Sequence, residues 1–414
     1  MFIACSRSAL LSVRESSRRQ IFTAAVLGLD RQKVLIERDR QRLQYPLDRF
    51  WKRMERYCSP QNHMYMPVSE LLSAIRLAST EEHTQTVLRL CDVHWAQCQK
   101  FGLSTYSYGM QLVKTLHILR QPDAVLHCLT DGFNPNFYRS TCFTVAADLL
   151  LLMDRPQDVL TVFESWRKYV ADNATAVQQT EPSMFPTQLQ ILVCAACHKL
   201  ATKEALDFGF SSINSAMAEG ATVHRRAVAF LVALAMNLDE LETAHVLLCS
   251  MKASMGCCLG RTLNVLVAVR RNRIADALHV LDSLLRIDAP SATLDKLISS
   301  EAIDQLSLAL KDSTDLELKS RCSRAIEVAR QTGCVSSATV DQLLYQTMDM
   351  ADLQSFAAKR QPTELPTVTE DDSEDDFVAT LDDRAENRAG GFRQRVVHQI
   401  VEKIKKEGPF GTAH

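Results

Sequence analysis

A helix hairpin that recurs about every 35 residues constrains this chain more than any other feature. Its clearest copy runs from Cys142 to Trp166. Phe143, Ala146, Ala147 and Leu150 recur at three-to-four spacing, as do Val159, Val162 and Phe163, so each half predicts an amphipathic helix. Asp154, Arg155 and Pro156 separate the halves, because proline lacks a backbone donor and disfavours a helical residue before it. Neither helix can bury its apolar stripe alone. The hairpin therefore requires neighbours of its own kind.

Those neighbours are present. Ser107-Tyr108-Gly109 and Asp123-Ala124-Val125 fall one period upstream of the matching residues, and Ala227 to Met251 and Gly260 to Leu284 fit the same columns downstream. A looser copy runs from Leu189 through a turn near Ala201-Thr202 to Ile213. The expected fold is all-α, a right-handed superhelical solenoid of helix-turn-helix repeats over residues 67–348. Its first hairpin spans Val68 to Gln97. A helix starting at Pro46, with Leu47, Phe50, Trp51 and Met54 on one face, caps it within a basic linker of residues 30–66. Polar residues with Pro182 and Pro186 mark Ala171 to Pro186 as a loop or an extended helix end. Leu294 to Leu310, Leu316 to Gln331 and Thr339 to Met348 keep helical periodicity and close the stack.

At these residues the sequence resembles the pentatricopeptide repeat family. Phe143-Thr144, Arg155, Asp158-Val159-Leu160 and Phe163 match one copy of its pattern, and Asn272-Arg273, Asp276-Ala277-Leu278 and Leu281 match another. Tyr45 to Tyr57, His224 to Leu238 and Ala338 to Thr347 extend the likeness across roughly residues 40–348. The resemblance implies a mitochondrial matrix protein that binds single-stranded RNA and acts in RNA maturation and mRNA processing for respiratory-chain expression. RNA-processing enzymes or the mitochondrial ribosome would be further partners.

Composition qualifies this reading. The formal charge is −2, which is unpromising for a nucleic-acid binder. Residues 364–383, however, hold nine acids and no Lys or Arg, leaving 47 basic against 40 acidic residues, a net +7, on the rest. Residues 349–391 therefore read as an acidic disordered linker, and 392–414 as a short amphipathic tail with Phe392, Val396, Val397, Ile400 and Ile404 on one face. Residues 1–29 carry Arg7, Arg14, Arg18 and Arg19 against Glu15 alone, with five serines, the composition of a mitochondrial transit peptide. The longest apolar run, Ala227 to Met236, is about half a membrane span.

No enzyme kit is present: there is no glycine-rich phosphate loop, no G-x-S-x-G and no His-Glu-x-x-His. Cys194-Ala195-Ala196-Cys197-His198 spells a haem-attachment spacing but falls inside a repeat helix, and Cys257-Cys258 lacks a second pair for zinc. No cofactor or metal is expected. By alignment with the family pattern, the column that would read RNA bases falls on Gly109, Thr144, Ile191, Ala229 and Thr262, of which only the threonines can hydrogen-bond through a side chain. Arg225, Arg226, Arg261, Arg270, Arg271 and Arg273 read either as phosphate contacts, giving salt-sensitive affinity, or as solvated hairpin ends. The basic stretch from Arg31 to Arg56 leaves the same two readings open. The alternative function is a protein–protein scaffold on the mitochondrial ribosome or another mitochondrial complex.

Overall fold

The computed structural model describes residues 20–43, 46–59, 65–101, 107–130, 139–174, 177, 184–221, 223–250, 257–285, 297–312 and 314–353. They divide into two compact units, one of residues up to 200 together with 345–353, the other of 201–344. Each unit is built from helix hairpins, so the architecture is the all-α helical repeat expected.

In the first unit, α1 (Ala24–Leu27), α2 (Leu29–Arg42) and α3 (Leu47–Tyr57) precede three hairpins. These are α4 (Val68–Leu77) with α5 (Glu81–Phe101), α6 (Gly109–Ile118) with α7 (Pro122–Thr130), and α8 (Ser140–Leu152) with α9 (Pro156–Asp172). Helix α10 (Thr187–Leu200) completes this unit. The first helices α4, α6, α8 and α10 pack side by side in that order. Phe143 of α8 meets Trp166 of α9 with ring centroids 5.2 Å apart, and both side chains are fully buried. Burying residues of this size contributes about 1.5–3 kcal/mol each. The expected register at Cys142–Trp166 is the observed one.

The second unit holds α11 (Lys203–Ala218), the hairpins α12 (Arg225–Asn237) with α13 (Leu241–Ser250) and α14 (Cys258–Arg270) with α15 (Ile274–Leu285), then α16 (Ser300–Asp312), α17 (Leu316–Gln331) and α18 (Val340–Leu344). Strands β1 (Ile298–Ser299) and β2 (Val335–Ser336) form a two-stranded parallel sheet. Here the structure corrects the sequence reading, which ran a helix through 298–299. Ile298 donates its N–H to the Cys334 carbonyl at 2.9 Å, so tertiary pairing overrides the local helical period.

The turns share one device. Arg120, Asp154, Ala201, Asp239 and Asn272 all adopt left-handed backbone with φ between 53° and 61°. In four of these turns the next residue's N–H returns to a carbonyl five residues back: Gln121 to Leu116, Arg155 to Leu150, Glu240 to Ala235 and Arg273 to Ala268. That is the Schellman arrangement, which satisfies the last carbonyls of a helix. Asp and Asn tolerate this conformation better than most residues with a side chain.

Residues 30–42, expected within the basic linker that leads to the capping helix, fall in α2, whose Leu29, Gln32 and Ile36 are buried. Residues 21–29, expected within the transit peptide, pack into the first unit. Phe22 is fully buried, Thr23 donates to the Met348 carbonyl at 3.0 Å, and Met348 donates to Ile21 at 2.8 Å. Residues 1–19, the acidic segment from 354 and the tail 392–414 lie outside the described residues.

Candidate nucleic-acid interface

The first helices offer a face opposite their partner helices, and that face is where base-reading side chains were expected. The sequence makes it apolar. In α12 every residue from Ala227 to Met236 is buried, and α8 is buried without interruption from Cys142 to Leu151. A helix apolar on all sides needs cover on all sides. The chain supplies the cover itself. In the first unit α2 lies on α4 and α6, and α1 lies on α8. His198 of α10 meets the Tyr345 hydroxyl through Nδ1 at 3.1 Å. In the second unit α18 packs on α12 and α14, and β1 packs on α14.

The expected reading column is accordingly buried. Gly109, Thr144, Ile191, Ala229 and Thr262 are all closed to solvent. Thr144 spends its hydroxyl on the Ser140 carbonyl one turn back at 2.9 Å. Thr262 accepts from the Ser299 N–H of β1 at 3.0 Å. Neither hydroxyl points outward, so this arrangement presents no side chain of the column to a base edge.

The six arginines fall into two groups at opposite ends of the first helices of the second unit. Arg225 and Arg226 open α12 and Arg261 lies near the start of α14, whereas Arg270, Arg271 and Arg273 surround its end. Arg261 and Arg270 stand nine positions apart on this helix, about 13 Å. Most have structural work. Arg226 donates to the Leu344 carbonyl at 2.8 Å, and Arg261, buried, to the Leu297 carbonyl at 3.5 Å. Arg271 holds both Glu242 oxygens at 3.0 and 3.1 Å, and Arg273 pairs with Asp276 at 2.8 Å.

Arg270 donates to the Met236 carbonyl at 2.7 Å, at the end of the preceding first helix. Lys199 does the same in the first unit, donating to the Leu151 carbonyl at 3.0 Å. Each cation stands two residues before its left-handed turn residue, and each carbonyl three before its own. A cation there satisfies a terminal carbonyl and meets the negative end of the helix dipole. Part of the basic signal in the hairpin turns is therefore inter-repeat capping.

A basic groove lies elsewhere, between α2 and α4 of the first unit. It encloses about 510 Å³ and is lined by Arg38, Asp39, Arg42, Arg53, Glu70 and Arg76, with Phe50 and Leu77 among its apolar walls. Arg76 donates to Asp39 Oδ2 at 2.8 Å, and its Nε and Nη2 reach Gln111 Oε1 at 3.1 and 2.8 Å. Arg53 stands 3.5 Å from Glu70. The dense charge between Arg31 and Arg56 was the sequence signal for this site. The α2–α4 packing that makes it concave was not legible there.

Buried titratable groups elsewhere serve the packing. His117 and Asp148 meet at 2.9 Å between α6 and α8, and burial raises the Asp148 carboxyl above the usual range although the histidine opposes it. Burial likewise pushes His198 down to about 4. Cys194 and Cys197 are closed off inside α10, and burial drives the Cys194 thiol well up. Among the described residues no group of three or more His, Cys, Asp and Glu side chains could hold a metal ion, and no helix is long and apolar enough to cross a membrane.

No family model matches the chain. Three curated relatives are similar to it, each named pentatricopeptide repeat-containing protein 2, mitochondrial. The mouse protein (Mus musculus) is 24% identical over 248 residues, 60% of this chain and 62% of the relative. The orangutan protein (Pongo abelii) is 21% identical over 281 residues, 67% of this chain and 69% of the relative. The human protein (Homo sapiens) is 21% identical over 280 residues, 67% and 68%. Against the mouse relative the chain thus spans less than two thirds of that protein's length. Together with the observed hairpin series, these similarities relate the chain to the pentatricopeptide repeat proteins.

Proposed function

We propose that this chain is a mitochondrial RNA-binding helical-repeat protein that acts without catalysis. It holds a single strand during RNA maturation and mRNA processing, shields or exposes a processing site, and leaves cleavage to another enzyme, in support of respiratory-chain expression in the matrix. The observation behind this reading is the series of helix hairpins in a chain similar to relatives named mitochondrial pentatricopeptide repeat proteins. The buried reading column bears on mechanism. Recognition then rests on phosphate contacts and RNA shape rather than on one base per repeat. On this reading a leader would lie within residues 1–29, of which Ile21 and Phe22 are buried.

The same buried column favours a second reading, a scaffold that holds a protein partner such as the mitochondrial ribosome. Crosslinking in intact mitochondria, followed by sequencing of attached RNA, separates the two. Discrete footprints at transcript junctions support RNA maturation. Recovery of a defined protein complex with no RNA establishes the scaffold instead.

A further inference from the structure

We propose that the groove between α2 and α4 binds the phosphodiester backbone of single-stranded RNA, with Arg38 and Arg42 as the contacting side chains. This assignment rests on the RNA-binding reading and gives it a site outside the expected column. Each acid of the groove already faces its own arginine. Asp39 pairs with Arg76 at 2.8 Å and Glu70 lies 3.5 Å from Arg53. Arg76 is further fixed by Gln111, so it forms the floor rather than a mobile contact. The net positive charge therefore comes from Arg38 and Arg42, both exposed. Arg38 comes no closer than 3.9 Å to Asp39, whose other oxygen is engaged by Arg76.

The spacing is informative. Arg38 and Arg42 stand four apart on α2, so their side chains project from one helix face and repel each other. Asp39, which lies between them on the helix, is drawn off by Arg76 at 2.8 Å. A like-charge pair only partly offset by a carboxylate, standing in a concave site, is what an anion-binding position looks like. An anion resolves the conflict. A phosphodiester fits it because two guanidinium groups can each present paired donors to its free oxygens.

The test uses the full chain, a fluorescein-labelled 20-nucleotide single-stranded RNA of mixed sequence, and anisotropy at several salt concentrations. In Arg38→Glu with Arg42→Glu, two phosphate contacts are removed. The slope of log K against log salt is expected to fall by about 1.4, and affinity at 0.1 M salt by roughly 25-fold, ten to that power. Arg38→Gln with Arg42→Gln should show the same change in slope without added repulsion. Lys311→Glu with Arg324→Glu, an equal charge change on exposed positions of α16 and α17, should leave the slope unchanged. Unaltered thermal melts of all three variants exclude unfolding as the cause. If the wild-type chain binds RNA and the groove variants bind equally well, or the control loses as much, the groove is overturned while RNA binding stands. If the wild-type chain does not bind RNA, or is retained only on anionic phospholipid vesicles, the RNA reading fails and the groove assignment fails with it.

Discussion

Acid should loosen the first unit through one histidine. His198 lies at the end of α10, hydrogen-bonded to Tyr345 in the segment that returns to this unit. Burial holds its folded pKa near 4 against an ordinary value of 6.5. Between those values the unfolded chain binds a proton that the folded chain refuses, so stability is fully present above pH 6.5 and lost as pH falls toward 4. Linkage from 6.5 and 4 gives a loss of roughly 2 kcal/mol at pH 5 and almost none at pH 7.5. With a urea slope of about 2 kcal/mol/M, the unfolding midpoint moves by about 1 M. Trp51, Trp95 and Trp166 are the three tryptophans and all lie in the first unit, so intrinsic fluorescence reports its unfolding. His198→Gln removes the proton site while offering an amide to the Tyr345 hydroxyl. The variant should be less stable than wild type at pH 7.5, and the gap should shrink by about 2 kcal/mol at pH 5. A gap independent of pH refutes the assignment of this acid sensitivity to His198.

Two further outcomes follow from the hairpins. Arg120→Gly and Ala201→Gly should each raise the unfolding free energy by about 1 kcal/mol in urea titrations, because both residues hold left-handed backbone that glycine adopts without penalty. Thr262→Val should cost about 1–3 kcal/mol, since it strands the buried Ser299 N–H, whereas Thr144→Val should cost well under 1 kcal/mol because the Ser140 carbonyl keeps its place in the helix ladder. On the RNA reading, neither threonine variant should shift base preference in a binding selection. A change in preferred sequence would return the column to a role in recognition.

The sequence by itself determined the repeat. Apolar residues at three-to-four spacing, interrupted by Asp154-Arg155-Pro156 and by Asn272-Arg273, specify helix hairpins through contacts a few residues apart, and these are legible in one dimension. The run from Ala227 to Met236 has no polar side to leave in water, yet in the sequence it reads only as too short to cross a membrane, and Ala229 within it as a base-reading position. What covers the first helices was decided only in three dimensions. The bridge from Phe22 to Met348 and the Tyr345–His198 bond join residues far apart in the chain, and no local period encodes them. The same holds for the arginines. Their number and positions are plain in the sequence, but whether a guanidinium caps Met236, grips Glu242 or stands exposed in a groove depends on which helix end or acid the fold brings near. Local periodicity fixes the elements, whereas long-range packing fixes which of their faces remains available for binding.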